Sequence, residues 1–136
     1  MVFTEVECEY LTTQALGRLA TIGPTGAPQI HPVAYRLNDD GTLSVGGPNL
    51  SASQKYRNVE RDPRVSLVVD DNAPEPVGPG GQRGRGLEIR GQVEILWVDR
   101  PLIPGFSNDV LRIHPRRIVA WNLDGPGRNS RDTPPA

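Results

Sequence analysis

Lys55 is the only lysine among the 15 lysines and arginines of the chain. It stands in Leu50-Ser-Ala-Ser-Gln-Lys-Tyr-Arg-Asn-Val59. This stretch predicts a helix over 52–61, with Ser51 as N-cap and Gln54 as the reciprocal residue of a capping box. The first N–H groups of a helix lack internal partners and carry the positive end of its dipole, so such a terminus suits an anion. Ser51, Lys55 and Asn58 fall at i, i+4 and i+7 and share one face. A hydroxyl, a point charge and an amide on that face suit a phosphate. The same spacing also describes a capped surface helix with a solvated lysine, and both readings stand on the residues alone.

Other chemistries find little support. The only lysine follows Gln54, so no phosphate-binding Gly-x-x-x-x-Gly-Lys-Ser/Thr loop exists. Gly78-Pro-Gly-Gly-Gln-Arg-Gly-Arg-Gly86 has Arg83 where a dinucleotide fingerprint needs glycine, and it opens no helix. His31 and His114, the only histidines, each precede a proline and have no second ligand at metal spacing. Cys8, the single cysteine, excludes a disulfide framework and reads as a packed structural thiol. Glu88 and Glu94 lie on the polar side of a strand and read as cross-strand partners rather than an acid–base pair. With no nucleophile or general base in view, the chemistry of an enzyme here would belong to a bound cofactor.

The elements that must position these residues are mostly strands. Thr4-Glu-Val-Glu7 forms a capping box that opens a helix running to about Leu16, with Gly17 ending it. Strands are predicted over 18–22, 28–37, 42–46, 64–70, 87–97 and 116–123, joined by Gly-, Pro- and Asn-rich turns. Leu87, Ile89, Val93 and Ile95 alternate with Glu88, Arg90, Gln92 and Glu94, and Gly91 interrupts the stripe as a bulge or a close backbone approach. Ala52, Tyr56 and Val59 would turn the 52–61 helix toward the core. The segment 72–86 reads as a flexible loop. Such a meander implies a mainly β fold, a small antiparallel barrel with a few short helices. The 136 residues fit one domain over 1–125, followed by a polar, proline-rich tail over 126–136 expected to lie against a partner's pocket. A net charge of −1 gives no case for nucleic acid or an acidic membrane. The start Met1-Val-Phe-Thr-Glu lacks the regions of a signal peptide, and no apolar run would span a bilayer, so a cytoplasmic protein is expected.

Four segments occur in a telling order: Leu16-Gly-Arg-Leu-Ala-Thr-Ile22, Gly26-Ala-Pro-Gln-Ile-His-Pro-Val33, Ser53-Gln-Lys-Tyr-Arg-Asn58 and Asp62-Pro-Arg-Val-Ser-Leu67. Together with 87–95 and His114-Pro-Arg-Arg-Ile-Val-Ala-Trp121, they resemble the pyridoxamine 5′-phosphate oxidase-like flavin-binding split barrels. The branch most similar is the short actinobacterial one that uses the deazaflavin coenzyme F420. The resemblance implies a six-stranded antiparallel split β-barrel that forms a homodimer, with cofactor sites between the protomers. It implies that His31, Pro32, Val33 and Ala34 line the ring through their backbone, and that Ser53, Lys55 and Asn58 approach the phosphate. Arg57 would reach the tail of a longer anionic cofactor or pair on the surface. Trp121 would lie beside the ring or serve as a core aromatic, and Arg131 would be a second flavin-contacting arginine.

The chain also departs from that family. The C-terminal Arg-Leu-His motif that holds the substrate phosphate in vitamin B6 oxidation is absent from Asn122–Arg131, and the family's flavin-contacting glutamine is Gly86 here. The resemblance therefore implies a coenzyme F420 oxidoreductase that transfers hydride to a small organic substrate. An FMN or FAD enzyme on the same fold, and a binding module without turnover, are the alternatives.

Overall fold

A computed structural model describes residues 1–134. Helix α1 (Glu5–Thr13) opens the fold, followed by strands β1 (Leu16–Ile22), β2 (Pro28–Leu37) and β3 (Leu43–Val45). A 3-10 turn (Leu50–Ala52) leads into helix α2 (Gln54–Arg61). Strands β4 (Arg64–Asn72), β5 (Gly84–Trp97), β6 (Asp109–Trp121) and β7 (Arg128–Asp132) complete the chain. All pairings are antiparallel, and β3 bonds to β6 as well as β2, which closes β1 to β6 into a six-stranded barrel. The second edge of β6 is divided: Leu111–Ile113 pairs with β3, and Arg117–Trp121 pairs with β7. The barrel is split at that point.

Alternation builds the interior. Leu19, Val33, Leu43, Val45, Leu67, Val69, Leu87, Ile89, Leu111, Ile113 and Ile118 all enter one buried cluster. Cys8 is packed against it, consistent with a structural thiol. Gly91 marks the irregularity expected of it. The β5–β6 register shifts between Arg90 and Gly91, and a Cβ at 91 would lie 2.3 Å from the His114 carbonyl oxygen.

Several boundaries differ from the sequence expectation. Helix α1 ends at Thr13, and Gly17 lies inside β1, where a Cβ would meet the Leu67 side chain at 2.8 Å. Strand β6 begins at Asp109, seven residues before the predicted 116. The loop predicted over 72–86 is shorter, because the ladder continues through Asp71–Arg85 and Asn72–Gly84. Part of the tail forms a strand. Its residues 128–132 extend the chain's own sheet, with Arg117 bonding Asp132 at 2.7 Å and Ser130 at 3.0 Å. Pro135 and Ala136 lie outside the described residues. Among those described, no helix is long and apolar enough to cross a membrane.

Candidate cofactor site

Helix α2 starts two residues later than the spacing predicted. Ser53 is the N-cap and Ser51 sits in the preceding 3-10 turn, so the Ser51–Gln54 capping box does not form. The Ser53 hydroxyl donates to the Leu50 carbonyl at 2.6 Å and accepts from the Tyr56 N–H at 3.3 Å. Its own N–H bonds Leu50 as well. Ser53 thus builds the terminus and has no donor left for a ligand. Arg57 does the same from outside, bonding the Ala52 carbonyl and the Gln54 side chain, each at 2.9 Å. It pairs with neither Glu60 nor any group beyond its own turn. Ala52 is exposed, so only Tyr56 and Val59 of the predicted apolar face pack on the core.

Asn58 is also relocated. It is 0% exposed, and its amide donates to Thr21 Oγ1 at 2.9 Å and Gln29 Oε1 at 2.8 Å. Its carbonyl oxygen accepts from Gln54 at 2.8 Å. Asn58 therefore ties α2 to β1 and β2 rather than facing a ligand directly. Thr21 and Gln29 were missed as members of this contact. Their signal was their place, inside the two strands that the quoted motifs span. Asn58→Leu is expected to lower the unfolding free energy by about 2–3 kcal/mol, because it strands buried polar partners. Urea unfolding reads this as a lower midpoint with an unchanged slope.

What remains free fits an anion. Among the described residues, the Lys55 ammonium has no hydrogen-bonding or ionic partner, the Ser51 hydroxyl is exposed, and the Gln54 and Lys55 N–H groups at the start of α2 have no acceptor. A hydroxyl, an ammonium and a helix N-terminus on one edge can hold a phosphate group.

His31 and Pro32 are exposed, Val33 is buried and Ala34 is half-buried. On the outer face of the β1–β2 pair, Leu16 stands opposite Ala34, Arg18 opposite Pro32, Ala20 opposite Ile30 and Ile22 opposite Pro28. Leu16 is 52% and Ile30 62% exposed. The strip is apolar apart from Arg18, which is engaged with Asp70 at 2.8 Å. An exposed apolar strip of this kind suits contact with another protein or a ligand.

Trp121 lies elsewhere. It pairs with Gly86, and a Cβ there would sit 2.7 Å from the indole and 2.6 Å from the Val69 carbonyl oxygen. Along β5, Gly86 is about 13 Å from Arg90, which lies level with Ser66 and Ala20, one rung short of Thr21. β5 and β4 also intervene between Trp121 and β1. One chain therefore does not bring Trp121 to the Lys55 edge.

Trp121's end of the barrel has its own cleft of about 370 Å³, lined by Val6, Glu9, Tyr10, Thr13, Gln14, Arg85 and Leu123. The Tyr10 hydroxyl donates to Asp71 at 2.8 Å, and the Arg85 guanidinium bonds the same carboxylate at 2.8 Å while lying 5.3 Å from the Tyr10 ring centre. Burial and then the bond to Asp71 push the Tyr10 hydroxyl well above its ordinary range. Arg85 holds the Asp71 carboxyl below its own. At neutral pH the phenol on the cleft wall is thus un-ionised, and the Asp71 carboxylate that it bonds is paired with Arg85. Arg131 is absent from this region. It forms a bidentate pair with the buried Glu7 and also bonds the Val2 carbonyl.

The family model described as pyridoxamine 5′-phosphate oxidase matches residues 3–131. The chain belongs to the pyridoxamine 5′-phosphate oxidase family. It is 38% identical over 130 residues to the 5a,11a-dehydrotetracycline/5a,11a-dehydrooxytetracycline reductase of Streptomyces rimosus subsp. rimosus, covering 92% of this chain and 87% of that protein. A solved F420 reductase superposes with a TM-score of 0.64 at 25% identity, over 85% of this chain and 98% of the other. A FAD-binding protein from Mesorhizobium loti shares the fold at 20% identity, with a TM-score of 0.60 over 85% and 92% of the two chains. Within the family the protein falls among the oxidoreductases, and the split barrel expected from the sequence is the fold observed.

Proposed function

We propose that the protein is a homodimeric reductase that binds the deazaflavin coenzyme F420 between protomers and reduces a polycyclic, enone-bearing substrate of the dehydrotetracycline type. The observation that carries this reading is the division of the site. The edge around Ser51 and Lys55 and the Tyr10–Arg85 cleft lie at separate places on one barrel, with the exposed β1–β2 strip available for a second copy. A two-fold contact through that strip would present one protomer's Lys55 edge to the other's cleft, and would do so twice.

Lys55, Ser51 and the first N–H groups of α2 would hold the cofactor's phosphate. The 31–34 backbone would lie along the ring and Trp121 would pack on it from the partner. The bound deazaflavin supplies the hydride. The chain's residues bind, orient and exclude water, and no side chain is required as a nucleophile. The identity with the Streptomyces rimosus reductase supports the substrate class, and the solved F420 reductase supports the cofactor. FMN or FAD on the same edge is the second reading, favoured by the shared fold of the FAD-binding protein.

Lys55→Ala is expected to weaken cofactor binding by roughly 1.5–3 kcal/mol, the worth of a hydrogen bond to a charged group. Its unfolding free energy should move by no more than about 0.5 kcal/mol, since the ammonium has no partner to lose. A fluorescence titration of this variant with unchanged affinity would remove Lys55 from the site.

A further inference from the structure

The face of the barrel made by β2, β3 and β6 carries a second basic cleft, of about 390 Å³. Arg36 stands opposite Ser44, and Ser44 opposite Arg112, so the three form one row across adjacent strands. Arg100 and Asp99 close the cleft from the β5–β6 loop, and Asn38 completes its wall. Three guanidinium groups thus face a single lining carboxylate. Glu94 lies opposite Arg112 on β5, but its carboxylate is 2.9 Å from His114 Nε2. Among the described residues, neither Arg100 nor Arg112 has an ion-pair partner.

One buried atom in this cleft lacks a partner, and one buried hydroxyl has a donor to spare. The Arg112 Nε is inaccessible to solvent and has no acceptor. Ser44 is 4% exposed, and its oxygen already accepts from the Asn38 amide at 2.9 Å, which leaves its own O–H to donate. Among the described residues nothing accepts that proton. Arg36 is held in place through one arm, which bonds the Leu102 carbonyl at 2.8 Å. Buried donors are ordinarily satisfied by protein, water or an ion, and guanidinium groups without ion-pair partners around one cavity suit an oxyanion.

We propose that this cleft is an anion site, separate from the Lys55 edge, that takes the phosphate group of a small molecule. Arg112 and Arg36 would present their forks to the phosphate oxygens, Ser44 would donate its hydroxyl, and Arg100 would cover the group from the loop.

The test uses the Lys55→Ala full-length chain, which lacks the other candidate anion site, and titrates it with inorganic phosphate against sodium chloride of equal ionic strength. Lys55→Ala should retain phosphate-specific binding. Adding Arg100→Gln, a loop substitution that leaves the barrel strands intact, should weaken it about tenfold, and adding Arg112→Gln should weaken it at least as much. Glycerol phosphate should compete with inorganic phosphate. Loss of all phosphate binding in Lys55→Ala overturns the proposal, and so does an affinity unaltered by Arg100→Gln or matched by chloride.

Discussion

Arg131→Ala is expected to lower the unfolding free energy by about 3 kcal/mol, the usual effect of removing one partner of a buried ion pair. Glu7 is almost wholly buried, with 3% of its side chain exposed, and Arg131 is its only cationic partner among the described residues. The same carboxylate caps α1, accepting from the Thr4 N–H at 2.9 Å, while the Glu7 N–H bonds the Thr4 hydroxyl at 3.2 Å. Removing Arg131 leaves that carboxylate in a dry site and detaches β7 from α1. The large effect comes from the uncompensated charge rather than from the attraction lost. Glu7→Gln in the Arg131→Ala background should therefore recover part of the loss, and a double-mutant cycle by urea unfolding measures the coupling. A drop below 1 kcal/mol in Arg131→Ala, with no coupling to Glu7, would make the clip a surface pair of little consequence.

Gly86→Gln, which restores the family's flavin-contacting glutamine, is expected to cost about 2–3 kcal/mol of stability and to displace Trp121. The Cβ is the source of the clash. It would fall 2.6 Å from the Val69 carbonyl oxygen, 2.7 Å from the indole and 2.8 Å from the Asp70 Cβ, and two of these groups cannot rotate away. Gly86→Ala should show most of the same loss, with a change in near-ultraviolet dichroism as the indole moves. A stable Gly86→Gln variant with an unchanged tryptophan signal would mean that the ladder accommodates the side chain. The glycine would then be an incidental departure from the family. As the structure stands, the Trp121 indole fills the space beside Gly86 that a side chain there would need.

Much of the barrel was legible in the sequence because strand alternation reports directly on burial. The stripe of Leu87, Ile89, Val93 and Ile95 gave β5, and Gly91 gave its bulge. The first half of β6 was hidden by Pro115. A proline normally argues against a central strand, but here it lies opposite Gly91, where the register shifts and a ladder bond is lost. Strand β7 was hidden for a different reason. Arg128-Asn-Ser-Arg-Asp132 has no apolar stripe, and its inward anchor is the Arg131 guanidinium seeking a glutamate 124 residues away.

The candidate site was half legible. Lys55 stands where its isolation in the sequence placed it, on the first turn of α2. Asn58 was read as a ligand from its type and spacing and Ser53 from the family resemblance, yet both are consumed by bonds within the chain. An i, i+4, i+7 pattern defines a helix face and says nothing about whether that face meets solvent or a polar contact with neighbouring strands. Trp121 and the Lys55 edge could not be related from sequence at all, since their separation depends on barrel register.

The most direct test of the central claim is a side-by-side fluorescence titration of cofactor-free protein with oxidised coenzyme F420 and with FMN, coupled to sedimentation to follow the oligomeric state. Tighter binding of the deazaflavin, at one equivalent per chain in a dimer, is the predicted result. Tighter FMN binding, or full deazaflavin binding by a monomer, would contradict it.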